Sequence, residues 1–342
     1  MKKGRFLTLA FETSCDETSV AVVADGREVL SNVISSQIDV HRVFGGVVPE
    51  IASRHHLTNI NSVYQEAMDN AGISLQDVDL IGVTCGPGLV GALLIGVAHA
   101  KAMAFAAQKP LLGVHHIQGH IAANLIEYKD LEPPFLALVV SGGHTHLIQV
   151  EEYTKYKILG RTRDDAAGEA FDKIARVLGL GYPGGPAIDK AAKEGDPHSV
   201  EFKRVMLEKG SLDFSFSGLK TAVLNHINTA KLKGQEIPAA DIAAAFQLSV
   251  VDVLVEKAMQ ALQITGSDKL VLAGGVAANT LLREQLLLAC EKRQIRLFSP
   301  SPVLCTDNAA MVACAAHYRY QAGYRSDFLL DAYATLDIES QY

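Results

Sequence analysis

The apolar positions of this chain fall into two similar series. Phe6 to Thr13 is an apolar run, a polar turn follows at Ser14-Cys15-Asp16-Glu17-Thr18, and Ser19 to Ala24 is apolar again. Runs of this length bounded by turn residues predict two strands joined by a tight loop. Phe135 to Val140, Ser141-Gly142-Gly143-His144-Thr145 and His146 to Val150 repeat the arrangement, just after the chain's clearest break at Glu132-Pro133-Pro134. Further short strands are expected over Leu80–Thr84, Leu111–Val114, Lys269–Ala273 and Leu297–Ser299. Pro49 suits the first turn of a helix that ends near Gly72. Helical patterns also cover 89–107, the segment after Val114, 167–178, 185–194, 217–231, 238–265, 277–290 and 307–320.

Two hairpin-first halves predict a duplicated α/β architecture, each half a mixed sheet flanked by helices, with a cleft between them. A length of 342 residues fits two domains. We expect one lobe from residues 1–134 together with 310–342, and a second from 135–309. Leu89 to Ala107 is apolar enough to raise the question of a membrane helix. Its Gly91, Gly96, His99 and Lys101 point instead to a helix packed on a sheet. Five scattered cysteines, odd in number and never in a C-x-x-C pair, predict a reducing, cytoplasmic setting rather than a zinc knuckle. No basic start with an apolar signal core precedes the first strand, so secretion is not expected.

The chemistry concentrates at Val114-His115-His116-Ile117-Gln118-Gly119-His120. His116 and His120, four apart on a helix, share one face. Two imidazoles from one turn need a third ligand, and Asp307 in Cys305-Thr306-Asp307-Asn308 is the best candidate, although its position also suits a helix N-cap. Two histidines and a carboxylate leave coordination positions open, which suits Fe(2+) or Zn(2+) and permits catalysis. Neither a Rossmann fingerprint nor a P-loop is present. Two small-residue loops stand in their place. Ser141-Gly142-Gly143 suits an anion, because backbone N–H groups can approach phosphate closely there. Glu12 and Asp16 in the first loop would repel phosphate and suit a metal, a water or a proton. Gly274-Gly275-Val276-Ala277-Ala278-Asn279 suits either a nucleoside or a close strand–helix turn. Tyr182-Pro183-Gly184-Gly185-Pro186 opens a helix, with Asp172 and Asp189 nearby.

These residues together resemble the TsaD family of bacterial tRNA adenosine threonylcarbamoyltransferases. The resemblance runs from about Phe6 to Gly323. It rests on Glu12–Thr18, Gly45–Arg54, Gly86–Leu89, His116–His120, Ser141–Thr145, Gly168–Lys173, Tyr182–Pro186, Phe214–Lys220, Gly274–Asn279 and Thr306–Asn308. Gln118 departs from the family, which usually has Glu there. The resemblance implies the actin/sugar kinase/heat-shock ATPase fold with an interdomain nucleotide cleft. It implies one divalent ion, Fe(2+) before Zn(2+), on His116, His120 and Asp307. It implies that Val139, Val140, Ser141, Gly142, Gly143, Asp172, Gly185, Asp189 and Asn279 hold threonylcarbamoyl-AMP. Transfer to N6 of adenosine 37 in tRNAs reading codons that start with A would then release AMP, with Glu12 or Asp16 managing a proton.

Two other readings share parts of this pattern. A small-molecule O-carbamoyltransferase would use the same fold, triad and a carbamoyl-adenylate, with extra domains. An ATP-driven chaperone-like module would need no histidine triad. A zincin protease is disfavoured, because His116–His120 lacks the glutamate of H-E-x-x-H. A net charge of −7 does not advertise an RNA-binding surface. The tRNA must then be held by a local patch, drawn from Arg42, Arg54, Lys203, Arg204, Lys292, Arg293 and Arg296, or with help in trans from the TsaB-like and TsaE-like partners that the resemblance implies. No membrane partner is expected.

Overall fold

A computed structural model describes residues 4–205, 208 and 210–340. Contacts divide the chain into two units. The first comprises the residues up to Pro133, Val150–Lys157 and the residues from Pro300 onward; the second comprises Pro134–Gln149 and Ile158–Ser299.

The first unit opens with β1 (Leu7–Glu12), β2 (Glu17–Ala24), β3 (Glu28–Ser36), α1 (Ile38–Arg42), α2 (Pro49–Ala71), β4 (Leu80–Gly86), α3 (Val90–Ala107), β5 (Leu111–His115) and α4 (His116–Glu127). The second carries β6 (Phe135–Val140), β7 (Thr145–Glu152) and β8 (Lys155–Arg161), apart from the Val150–Lys157 stretch that joins the last two, then α5 (Ala167–Val177), α6 (Gly184–Ala192), α7 (Ser217–Leu232), α8 (Ala239–Thr265), β9 (Lys269–Ala273), α9 (Thr280–Glu291) and β10 (Arg296–Phe298). The chain then returns to the first unit with α10 (Pro302–Cys305) and α11 (Ala309–Gln321).

The two five-stranded sheets have matching orders, β3-β2-β1-β4-β5 and β10-β9-β6-β7-β8. Read from opposite edges, each strand finds its counterpart, which is the duplication expected from the hairpin-first pattern. In the first sheet β1 runs antiparallel to β2 and parallel to β4. In the second, β6 and β10 both run parallel to β9. Parallel strands need covering on both faces, which is why β1, β4, β5 and β6 read as continuous apolar runs rather than as alternation.

One face of the first sheet supplies Leu9, Phe11, Val20, Val22, Ile81 and Val83 to a core completed by Ile60, Val63 and Met68 of α2 and Val97, Ala100 and Ala104 of α3. A fully buried side chain the size of Phe11 contributes roughly 2–3 kcal/mol. The opposite face meets α11 so closely that a Cβ on Gly82 would lie 2.8 Å from Cβ of Ala316.

The sequence pattern gave no hint of β3 or β8, and both lie at sheet edges. In β3 only Ser31 is buried, and polar residues alternate irregularly with apolar ones. An edge strand has one open side and needs no continuous apolar run. The helix expected over 277–290 begins at Thr280, after a single tight turn over Gly275–Ala278.

Among the described residues α3 alone is long and apolar enough to cross a membrane, with one third of it buried. Ala92, Leu93, Gly96, Val97, Ala100 and Ala104 form its buried stripe, and Val90, Leu94 and Phe105 are exposed. The stripe approaches the first loop closely. A Cβ on Gly96 would meet Oγ1 of Thr13 at 2.5 Å, and that hydroxyl donates to the Ala92 carbonyl at 2.9 Å.

Candidate functional site

His115 takes a different job from His116 and His120. β5 ends at His115 and α4 starts at the next residue. His115 caps the helix, its Nδ1 accepting from the Ile117 backbone N–H at 3.1 Å, and its Nε2 lies 3.1 Å from the Leu336 carbonyl. Its ring is thereby committed to structure. His116 and His120 turn their Nε2 atoms toward each other, 3.1 Å apart, with the rings nearly perpendicular.

Asp307 completes the group from the other end of the chain. Its Oδ1 lies 3.4 Å from Nε2 of His116 and 3.2 Å from Nε2 of His120. Asp307 is not the helix cap that its position suggested. Asn308 takes that role, its Oδ1 accepting from the Met311 N–H at 3.0 Å. The cap therefore sits one residue later than the ligand candidate, so one side chain need not serve both purposes.

The donor set fits a divalent ion. Metal–nitrogen bonds of about 2.1 Å separate neighbouring donors by roughly 3.0 Å at right angles and roughly 3.4 Å at tetrahedral angles. The three separations here span 3.1 to 3.4 Å. Behind the triad, Nδ1 of His116 lies 3.2 Å from Oε2 of Glu12 and 3.1 Å from Oγ of Ser14. A carboxylate on the far nitrogen of a ligating imidazole fixes its tautomer and raises its basicity. Glu12 is itself held, accepting from Oγ1 of Thr84 and the Ser14 N–H, each at 2.6 Å. Nδ1 of His120 is buried without a protein partner.

Charge points the same way. Glu12 is fully buried, and Asp16 is 6% exposed. Burial opposes a charge on His116, yet Asp307 and Glu12 outweigh it and hold the imidazolium up to about 9. Burial also works against the Glu12 carboxylate, and the facing His116 overcomes it and keeps Glu12 below the usual range. Burial, then Asp307 and Asp16, push Glu17 well above that range. Asp307 thus repels both Glu12 and Glu17, a repulsion that a bound cation relieves.

The second unit contains the other expected residues, of which Val139 and Val140 are wholly buried. Val139 and Val140 end β6, and Ser141 closes the loop after it, its N–H donating to the His144 carbonyl at 2.8 Å. Gly274 packs on this loop, and a Cβ there would lie 2.5 Å from the Val140 carbonyl oxygen. Asn279 caps α9 by accepting from the Leu282 N–H, and its Nδ2 donates to Gln247. Asp189 accepts from Oγ1 and N–H of Thr280 at 2.9 and 3.2 Å. Asp172 accepts from the Gly184 N–H at 2.7 Å, at the start of α6.

The glycines of this region divide into two kinds. Gly168, Gly184 and Gly274 have backbone within 2.8 Å of a would-be Cβ, so packing demands glycine there. Gly142, Gly143 and Gly185 would meet nothing within 4 Å. The fold does not require their bareness, which instead leaves backbone N–H groups approachable from outside.

Thr84, Gln247 and Thr280 were not singled out by sequence, and Ser14 only as a member of the first loop. The one signal for Thr84 was a hydroxyl in a strand buried along its whole length. Of the candidate RNA contacts, Arg42 pairs with Asp39, Arg54 with Glu50, and Arg204 with Asp252.

Known proteins resemble this chain over most of its length. A family model described as "TsaD: tRNA N6-adenosine threonylcarbamoyltransferase" matches residues 28–314. A tRNA N6-adenosine threonylcarbamoyltransferase of Clostridium botulinum (strain 657 / Type Ba4) is 57% identical over 330 residues, which is 96% of this chain and 97% of that protein. One from Clostridium perfringens (strain ATCC 13124) is 57% identical over 326 residues, covering 95% and 96%. Among solved structures, HypF of T. kodakarensis superposes with a TM-score of 0.65 at 16% identity, over 92% of this chain and 48% of that one. Component A of (R)-2-hydroxyglutaryl-CoA dehydratase from Acidaminococcus fermentans superposes at 0.52 and 16% identity, covering 93% and 98%. These distant likenesses concern the fold alone, which is of the actin/sugar kinase/heat-shock ATPase type. With the model match and the near relatives each spanning most of its length, the chain belongs to the TsaD family of tRNA N6-adenosine threonylcarbamoyltransferases.

Proposed function

We propose that this enzyme transfers the threonylcarbamoyl group of threonylcarbamoyl-AMP to N6 of adenosine 37 in tRNAs reading codons that start with A, and releases AMP. His116, His120 and Asp307 hold one divalent cation, Fe(2+) in the first instance and Zn(2+) in the second. The observation that carries the reading is the convergence of these three side chains with Glu12 behind His116. A cation bound there supplies Lewis-acid polarisation of an anionic or carbonyl oxygen.

The remaining steps belong to the chain's own residues. Val139 to Gly143 receive the phosphate, with Gly142 and Gly143 bare so that backbone N–H groups reach it. Gly185 at the α6 start, Asp172, Asp189 and Asn279 hold the nucleoside. The acceptor is a weak exocyclic amine, so acceleration comes mainly from positioning and charge stabilisation. The amine nitrogen bonds to the carbamoyl carbon, the carbon–phosphate oxygen bond breaks, and AMP leaves with its electron pair. The proton shed by the amine goes to Asp16 or Glu12. Both oxygens of Glu12 already accept hydrogen bonds, which suits Glu12 to orienting His116.

The acidic balance of the chain supports a tRNA surface shared with TsaB-like and TsaE-like proteins. Free thiols at all five cysteines suit a cytoplasmic setting. The deciding experiment incubates the purified protein with labelled threonylcarbamoyl-AMP and unmodified tRNA, with and without the two partners, and assays the modified nucleoside. Label appearing at another base, or normal transfer by metal-free protein, overturns the assignment.

A further inference from the structure

The segment Phe214–Lys220 lies outside the substrate and metal residues, yet it is bonded to the wall of the Ser141–Gly143 loop. It runs beside the end of β8, where the Arg163 N–H donates to the Phe214 carbonyl and the Phe214 N–H to the Arg161 carbonyl, both at 3.0 Å. Phe214 and Phe216 are wholly buried and their rings stack 6.2 Å apart, so the segment is anchored.

Two adjacent carboxylates then grip it. Asp164 accepts from Oγ of Ser215 at 2.5 Å, Oγ of Ser217 at 2.7 Å and the Phe216 N–H at 2.8 Å. Asp165 bonds Nζ of Lys220 at 2.7 Å with one oxygen and Nζ of Lys173 at 3.0 Å with the other. Its side chain is 15% exposed.

From Asp165 the path to the loop is short. Ala166 precedes α5, the Ala167 N–H donates to Oγ1 of Thr145 at 2.9 Å, and the Gly168 N–H donates to the Ser141 carbonyl at 3.2 Å. Gly168 packs so tightly that its Cβ would sit 2.5 Å from that carbonyl oxygen and 2.7 Å from Cα of Gly142. The first turn of α5 is therefore the wall against which the loop is shaped. Asp165, held by one lysine from α5 itself and one from α7, fixes how far that turn advances.

We infer that Asp165 is a positioning residue for the phosphate subsite, acting through the first turn of α5 on Ser141–Gly143, with Lys220 as its anchor in the Phe214–Lys220 segment. The inference rests on the reading above that this loop receives the donor's phosphate. Asp165 touches no reacting atom. Its work is to keep the loop's N–H groups in register with an anion, where displacement of the order of an ångström is costly.

The test is AMP binding by calorimetry to the full-length protein, alongside steady-state transfer with threonylcarbamoyl-AMP. Asp165→Asn is expected to weaken AMP binding and raise KM for the donor by about tenfold, with kcat changed less than about twofold. Metal content and melting temperature are expected to match the parent, and Asp165→Glu is expected to recover most of the affinity. Equal AMP affinity in parent and Asp165→Asn overturns the inference, as does a fall in kcat at unchanged KM. If Asp165→Asn does not fold, Lys220→Met, which leaves the Lys173 contact, must weaken AMP severalfold, and unchanged affinity there overturns it equally. Failure of the parent itself to bind AMP overturns the phosphate reading on which all of this depends.

Discussion

Nδ1 of His116 lies 3.2 Å from Oε2 of Glu12, a side chain with no exposure to water. The pair joins the first strand of the chain to a helix more than a hundred residues later. It sets which imidazole nitrogen is turned toward His120 and Asp307. Glu12→Gln keeps the shape and removes the charge. We predict a loss of about 10–100-fold in metal affinity, with transfer activity falling alongside, measured by chelator competition and metal analysis. Unchanged affinity in Glu12→Gln contradicts the role.

His116→Ala is expected to remove bound metal and transfer activity together. Elemental analysis of purified protein and the nucleoside assay are the measurements. A variant that keeps its metal but loses activity would move His116 out of the coordination sphere.

Asn308→Ala removes the side chain that caps α11. The expected cost is about 1 kcal/mol of stability, read by urea unfolding. Because Asp307 precedes the cap, metal affinity should fall as well. Stability lost without any change in metal affinity would separate the two neighbours.

Gly142 and Gly168 test the two kinds of glycine against each other. Gly142→Ala meets open space, so its stability should stay within about 0.5 kcal/mol of the parent while AMP affinity drops. Gly168→Ala drives a methyl into the Ser141 and Gly142 backbone, and should cost about 3 kcal/mol or more. Equal destabilisation by both, in the same urea titration, would contradict the assignment of Gly142 to ligand rather than to packing.

Burial, helped by the charge of Arg161, lowers the His146 imidazole to about 4. The unfolded residue titrates at about 6.5. Above that value both states are neutral and the group is silent. As pH falls from 6.5 toward 4 the unfolded chain takes a proton that the folded one refuses, so stability is lost across that window. His146→Gln should flatten this part of the profile by about 1–2 kcal/mol between pH 7.5 and 4.5. A profile that keeps its full slope in the variant would assign the effect to other histidines.

The residues legible in sequence were those whose chemistry is local. His116 and His120 announce themselves by spacing, and β1, β4 and β6 by unbroken apolar runs. β3 and β8 were hidden because an edge strand is patterned by what it lacks. Whether Asp307 was a candidate ligand or the helix cap stayed open in sequence, since adjacent polar residues before a helix look alike until one side chain is seen to turn back. The support from Thr84 and the grip of Asp165 on Lys220 were invisible, because both depend on neighbours many residues away in sequence.

Asp307 stands near the end of the chain, and α11 just after it covers the sheet that the first residues begin. During synthesis the opening strands must therefore wait, half finished, while all of Pro134–Gln149 and Ile158–Ser299 leaves the ribosome. A protein cut short before Asp307 lacks both the closing helix and one of the three candidate metal ligands. If Asp307 holds the ion as proposed, loss of metal binding would mark chains that ended before that residue.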